Sequence, residues 1–268
     1  MNLLGDIRLS LRTLVKNPGF TAVAVTMLAV GIGVNATVFT VTDAVLFKGF
    51  PLVQDNDRLR YLTYRDSNCC VSYPDFLDWK AQSKSFQGMA IVHGVTLALT
   101  DANGFPESLS GNENSAGVFG LVGTQPMLGR DFTPQDEMPG AAPVAILNYG
   151  FWERRYGKDP GIIGRTVRMN GALTTYIGVM PQGFSFPQTV DVWVPLVQTP
   201  QVMSRDSRAT WVVVARLAEG VTTQAAQAEM DVIGKQLATE YPVTNRDLSP
   251  EVLTFTQFFI GRNGTLIY

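Results

Sequence analysis

Residues Phe20 to Thr42 form a run of 23 without one charged side chain. About 20 such residues cross a bilayer core as a helix. Val23, Val25, Leu28, Val30, Ile32, Val34, Val38, Phe39 and Val41 fall on every face of that helix. A surface helix of a water-soluble protein shows a single apolar stripe instead. Extended to Phe47, the helix spans about 42 Å at roughly 1.5 Å per residue. That exceeds the hydrocarbon core, so its far end, near Asp43, is expected in water.

Two other readings of this run are a dinucleotide loop, which fails its context, and a cleaved signal peptide, which is the runner-up. Gly31-Ile32-Gly33-Val34-Asn35-Ala36 matches the dinucleotide pattern G-x-G-x-x-G/A, and Asp55 and Asp57 lie about twenty residues on. That pattern needs a short strand before the glycines and an amphipathic helix after them. Here the chain stays apolar to Phe47, and Pro51 follows. A cleaved signal peptide has an apolar region of only about 7–15 residues, shorter than this run. Inside a span, Ala29, Gly31, Gly33 and Ala36 let a neighbouring helix approach closely, and Asn35 favours a protein partner over hydrocarbon. These five are the candidate helix-packing residues.

Ahead of the run, Leu3, Leu4, Ile7, Leu11, Leu14 and Val15 recur at helical spacing, while Arg8, Arg12 and Lys16 repeat every four residues on another face. This is the pattern of an interfacial basic helix on the inner leaflet. Asn17-Pro18-Gly19 separates it from the span. The basic side chains predict a cytoplasmic N-terminus, with residues after about 48 outside.

The rest of the chain reads as mixed secondary structure. Residues 58–65 alternate as a strand, and Ser72-Tyr73-Pro74-Asp75 opens a helix with Asp75 completing a capping box. Asp75 and Asp78 share a helix face; capping and the helix dipole account for them without a metal. Residues 95–100 are a strand, and a short helix is expected from Asn114 or Ser115. Residues 143–157 run from strand to helix between an Asn148 cap and a Gly157 stop. Asn170-Gly171 is a hairpin turn. Residues 190–196 and 211–217 are strands. Ala226, Met230, Ile233, Leu237 and Tyr241 mark a helix capped by Thr222 or Thr223 and stopped by Pro242. Residues 251–259 read as a closing strand.

Chemistry-bearing patterns are few. A net charge of −2 with no basic stripe argues against a nucleic-acid partner. His93 is the only histidine, and Cys69-Cys70 are the only cysteines. These read as free or buried thiols, with a vicinal or intermolecular bridge as the lesser reading. No nucleophile, metal set or cofactor motif is present, so no catalytic, cofactor-binding or metal residue is assigned. Arg154-Arg155 cover a helix face, and Asn263-Gly264-Thr265 fits a glycosylation tripeptide of a kind that is common by chance.

The ordered stretches "NPGFT", "LAVGIGVNATVFTVTDAVL", "SYPDFLDW", "MLGRDFTPQDE", "VAILNYGFWERRYG", "GRTVRMNG" and "IGVMPQGFSFP…VDVWVPL" resemble the MacB-type ABC transporter permeases, closest to the acidobacterial duplicated orphan permeases. The expected fold is α+β: one N-terminal transmembrane helix, then an extracytoplasmic domain of split β-α-β units with a β-rich insert. The expected divisions are an interfacial helix at 1–17, the span at 18–47, a porter-like part at 48–88, a sabre-like insert at 89–189 and a second porter-like part at 190–268. The resemblance implies a non-catalytic subunit that works by mechanotransmission with a cytoplasmic ABC ATPase, a second permease copy, membrane lipid and a periplasmic adaptor or outer-membrane channel. It also implies later spans, so "GRNGTLIY" reads as a truncation before the second transmembrane helix. The alternatives are a single-pass membrane-anchored sensor or binding module, and a tethered enzyme.

Overall fold

In a computed structural model of the chain, residues 16, 18–19, 21–23, 25–33, 49–65, 70–100, 106–208 and 211–260 are described. The chain divides into two units, Met1–Lys48 and Gly49–Tyr268.

In the first unit the described residues between Lys16 and Gly33 are helical. Val25, Met27, Leu28, Val30 and Ile32 are all exposed there. The Thr26 hydroxyl donates to the Ala22 carbonyl at 2.8 Å, which satisfies it within its own helix. Among the described residues no helix is long and apolar enough to cross a membrane; residues 34–48 lie outside them.

The second unit carries ten strands among its described residues: β1 (Leu59–Tyr64), β2 (Phe86–Thr100), β3 (Pro106–Asn114), β4 (Leu128–Gly129), β5 (Val144–Leu147), β6 (Thr166–Met169), β7 (Ala172–Val179), β8 (Val192–Pro195), β9 (Val212–Leu217) and β10 (Pro250–Leu253). Its helices are α1 (Tyr73–Gln82), α2 (Val118–Val122), α3 (Tyr149–Tyr156), α4 (Thr223–Glu240), α5 (Pro242–Asn245) and α6 (Phe255–Ile260). The strands join one sheet in the order β10-β1-β9-β2-β3-β8-β5-β7-β4, with β6 pairing β2 and β7. β3–β8 and β5–β7 are parallel, and the other pairs are antiparallel.

The run of apolar residues in β9 has a simple cause. Val213 and Ala215 face a core built with Leu62, Phe76, Trp79, Met230, Ile233 and Leu237 from β1, α1 and α4. Val214 faces the opposite core, with Tyr61, Phe119, Phe184 and Trp193. A strand buried on both sides loses the polar alternation of a half-exposed one. β5 repeats this: Ala145 and Leu147 face a third core around Phe151, Trp152 and Tyr176, while Val144 and Ile146 face the one with Phe119.

β2 links these cores. It has 15 residues and pairs β9 from Phe86 to Val92, then β3 from Val92 to Thr100. It runs unbroken through residues 88 and 89.

Several local expectations hold. The Ser72 and Thr222 side chains accept from the Asp75 and Ala225 amides at 3.2 Å each. Asn148 caps α3, and Gly157 ends it with a left-handed backbone. Asn170 and Gly171 both have positive φ between β6 and β7, as a two-residue hairpin requires. α4 lies so close to the sheet that a Cβ on Gly234 would sit 2.4 Å from Pro250 Cδ. The outer edge of β10 is covered by Gln227, whose amide donates to the Pro250 carbonyl at 3.0 Å and accepts from Val252 at 2.8 Å. An edge treated this way offers no template to another chain.

Four expectations need correction. Residues 255–260 are helix, not strand. Thr254 and Gln257 cap each other reciprocally, with bonds of 2.9 to 3.2 Å, and this starts the helix. The short helix begins at Val118 after Gly117, not at Asn114 or Ser115. Asn114 ends β3 opposite Val92, and the Ser115 hydroxyl accepts from the Ile91 amide at 3.0 Å. Asp75 does not close a capping box, because its carboxylate turns into a buried ion network. Cys70 is disulfide-bonded, not free.

Candidate functional site

The first and last described elements of the second unit meet at one place. Gly49 and Phe50 lead into it, and Asn56 holds them. Its side chain accepts from the Phe50 amide at 2.9 Å and donates to the Phe50 and Val53 carbonyls at 3.1 and 2.7 Å. Gly49 has a φ of 61°, and a Cβ there would meet Asn56 Cγ at 2.6 Å, so only glycine fits this approach.

α6 follows β10 and returns to the same spot. Phe255, Phe258 and Phe259 share one helix face by their i, i+3, i+4 spacing. The Phe258 ring stacks on Tyr61 at 4.5 Å and 11°, and Phe259 meets the same ring edge-on at 5.5 Å. Phe50 meets Phe255 at 5.0 Å and Phe186 at 4.9 Å, both edge to face. Such ring pairs are favoured by their quadrupoles and have defined geometry. Tyr61 sits at the centre of β1, paired with both Leu253 of β10 and Val214 of β9. The aromatic clasp thus joins the incoming chain, the outgoing helix and the middle of the sheet.

A second linkage lies on the other face. Asp75, fully buried, accepts from Tyr64 at 2.6 Å and Asn245 at 2.8 Å, and pairs with Arg208 at 3.0 Å and with Arg205. Arg205 also reaches Asp78 at 2.7 Å and lies over the Tyr241 ring at 3.7 Å. Burial by itself would raise the Asp75 pKa. The hydrogen bonds from Tyr64, Asn245 and Ser72, and the Arg208 charge, outweigh it and hold the carboxyl below its ordinary value. The same burial, with Asp75 beside it, pushes the Tyr64 hydroxyl up. This network ties α1, the segment before β9, and the end of α4 to one another.

Arg216 makes a third tie. It is almost fully buried, donates to the Leu121 carbonyl at 2.7 and 2.9 Å and pairs with Asp55 at 3.2 Å. It therefore joins α2 and the turn before β1 to β9. None of these groups is arranged as nucleophile, base and oxyanion donor. They are arranged to hold elements together.

The residues singled out in the sequence are placed as follows. Ala29, Gly31 and Gly33 are exposed on the first unit's helix, and a Cβ at Gly31 or Gly33 would meet nothing within 4 Å. Lys16 is exposed and helical. Arg8, Arg12, Asn35 and Ala36 lie outside the described residues, as does Asn263-Gly264-Thr265. His93 is half-buried, 3.2 Å from Glu113. Among the described residues no three His, Cys, Asp or Glu side chains are grouped to hold a metal.

The family described as MacB-like periplasmic core domain matches this chain over residues 21–233. The chain belongs to this family. No curated protein matches it. The fold is similar to that of the extracellular domain of the noncanonic ABC-type transporter YknZ from Gram-positive bacteria. There the TM-score is 0.53 and the identity 14%, covering 73% of this chain and 99% of that one. It is likewise similar to the periplasmic region of MacB from Actinobacillus actinomycetemcomitans, with a TM-score of 0.52 and 13% identity over 79% of this chain and 94% of that one. At such identities the likeness is one of fold. The chain thus carries a MacB-like periplasmic domain of an ABC-type transporter permease.

Sequence reasoning missed the clasp and the Asp75 network. Both had a signal. Thr254-x-x-Gln257 is a capping box before phenylalanines at helical spacing. Asp75 and Asp78 are three apart, and so are Arg205 and Arg208, which makes the two pairs complementary in charge and spacing.

Proposed function

We propose that the chain acts as a permease subunit of a MacB-type transporter, anchored by a transmembrane helix over residues 18–47. In this reading Arg8, Arg12 and Lys16 lie on the inner leaflet, and the face with Ala29, Gly31, Gly33, Asn35 and Ala36 meets another helix. A separate cytoplasmic ATPase supplies the work. The domain after residue 48 moves in the periplasm against that of a second permease copy and drives export with an adaptor or outer-membrane channel. Residues 48–88 and 190–268 form the porter-like part, and 89–189 form the sabre-like insert.

The observation that carries this reading is the aromatic clasp. A device that transmits motion from a membrane segment needs a stiff joint where that segment meets the outer domain. Within the second unit, Phe50, Phe255, Phe258 and Tyr61 pack ring against ring and tie its first described residues to the sheet, which supports this reading.

The test uses Val243, which is 94% exposed on α5. Val243→Cys should react with an impermeant maleimide added outside intact cells, and Lys16→Cys only after permeabilisation. Spin labels at position 243 in two copies, reconstituted with the ATPase, should change their separation on ATP binding. Labelling of position 16 from outside would overturn the orientation. An unchanged separation would overturn the mechanical reading and leave an anchored sensor.

A further inference from the structure

One concavity of the second unit holds about 1010 Å³ and is lined by Arg154, Arg155, Arg165 and Arg168, with Glu107 as the one acidic group among its described lining residues. The chain as a whole carries a net charge of −2, so this is a local reversal of sign. Geometry distinguishes the four guanidinium groups. Arg154 pairs with Asp191 at 3.0 Å and Arg155 with Glu107 at 2.7 Å. Arg165 lies over the Tyr156 ring at 5.1 Å. Arg168 donates one N–H to the Gly171 carbonyl at 2.8 Å. Among the described residues neither Arg165 nor Arg168 has a carboxylate within ion-pair distance. Both are exposed, on or next to strand β6, whose Thr166 and Arg168 share one face.

A guanidinium without a carboxylate partner presents a planar fork of donors that matches a phosphate in two-point contact. Several such groups around a low-dielectric wall focus the potential and concentrate anions. The wall is not wholly polar, since Leu99, Val167 and the Tyr156 ring line it too. Its size is that of a small-molecule site. We propose that this concavity binds a small phosphate-bearing molecule, with Arg165 and Arg168 on the phosphate and Tyr156 and Val167 against its apolar part. The phosphate could belong to a free solute or to the headgroup of an amphiphile, and both present the same chemistry. The site does not depend on the transport reading.

The test is calorimetric titration of the full chain in nonionic detergent with two probes, inorganic pyrophosphate and a short-chain phosphatidic acid below its micellar concentration. The expected result is saturable binding of at least one probe. It should weaken at least tenfold in Arg165→Gln/Arg168→Gln and stay unchanged in Arg246→Gln, an exposed arginine on another surface. Arg165→Lys/Arg168→Lys, which keeps the charge and loses the fork, should bind between these limits. Pyrophosphate binding identifies a free phosphate site, and phosphatidic acid binding alone identifies a headgroup site. Saturable binding of neither probe, or equal binding by the wild type and the double glutamine variant with unchanged circular dichroism, overturns the proposal.

Discussion

The rings of Phe50 and Phe255 meet edge to face at 5.0 Å and 88°. One residue stands at the start of the second unit and the other close to its end, so the contact closes the domain on itself. An edge-to-face ring pair contributes about 1 kcal/mol beyond the area it buries. A double-mutant cycle of Phe50→Leu and Phe255→Leu, read by urea unfolding, should give a coupling energy of about 1 kcal/mol. A coupling near zero would mean that the rings touch without holding the two segments together.

Thr254 should matter for the same joint. Thr254→Ala removes the cap of α6 at a cost of about 1 kcal/mol. Hydrogen exchange of the amides of residues 255–259 should speed up, while those of β1 keep their protection. Loss of protection in β1 as well would show that α6 is not a separable layer.

The Asp75 network should be costly to break. Asp75→Asn leaves Arg205 and Arg208 without their shared carboxylate, and removing one side of a buried pair costs about 3 kcal/mol. The folded pKa of Asp75 is depressed. Its contribution is therefore complete above the unfolded value of about 4 and is lost as pH falls through the folded value. Wild-type stability should decline from about pH 4 downward more steeply than that of Asp75→Asn. Parallel curves would contradict the assignment.

Asp136 offers a direct titration. Arg130 holds it with two bonds of 2.7 and 2.9 Å, Thr133 adds two more, and its pKa falls to about 2. Carboxyl carbon shifts should put its midpoint near this value. Arg130→Gln should move the midpoint up toward an ordinary aspartate. An unshifted midpoint in that variant would assign the depression to Thr133 and the backbone instead.

Two glycines should respond with opposite sign. Gly234→Ala drives a methyl into Pro250, where the space is 2.4 Å, and overpacking of this kind costs about 1–3 kcal/mol. Gly120→Ala, inside α2 with its nearest neighbour at 3.7 Å, should gain about 0.5–1 kcal/mol from helix propensity. Thermal unfolding of both variants checks the pair.

The fold was legible where the determinants are local. Ser72, Thr222, Asn148 and Gly157 bound their helices as the sequence pattern predicts, and Asn170-Gly171 makes the expected turn. Residues 255–259 misled because phenylalanine is at home in strands, and the cap that decides the matter is one threonine and one glutamine. Asn114 looks like a helix cap, but its strand pairing with Val92 outweighs that preference. The Asp75–Arg205 pair was hidden for another reason. Its partners are far apart in the chain, and the matched three-residue spacing of Asp75-Asp78 and Arg205-Arg208 is a signal too weak to choose between distant charges by itself. The disulfide at Cys70 is a different case: Cys69-Cys70 are the only cysteines, and a bridge, vicinal or intermolecular, is already the lesser reading of the sequence.

β2 carries one more implication. A loop between two bodies is a hinge that absorbs displacement. A strand of 15 residues, about 50 Å long at roughly 3.3 Å per residue and hydrogen-bonded to β9 over one half and β3 over the other, is a beam. Its pairing with β9 shifts register between Phe86 and Gly88, which bends the strand locally, and from Gly88 to Thr100 it is paired in regular register and resists bending. The sheet would respond to load as a single lever, and its give would have to be sought at the ends.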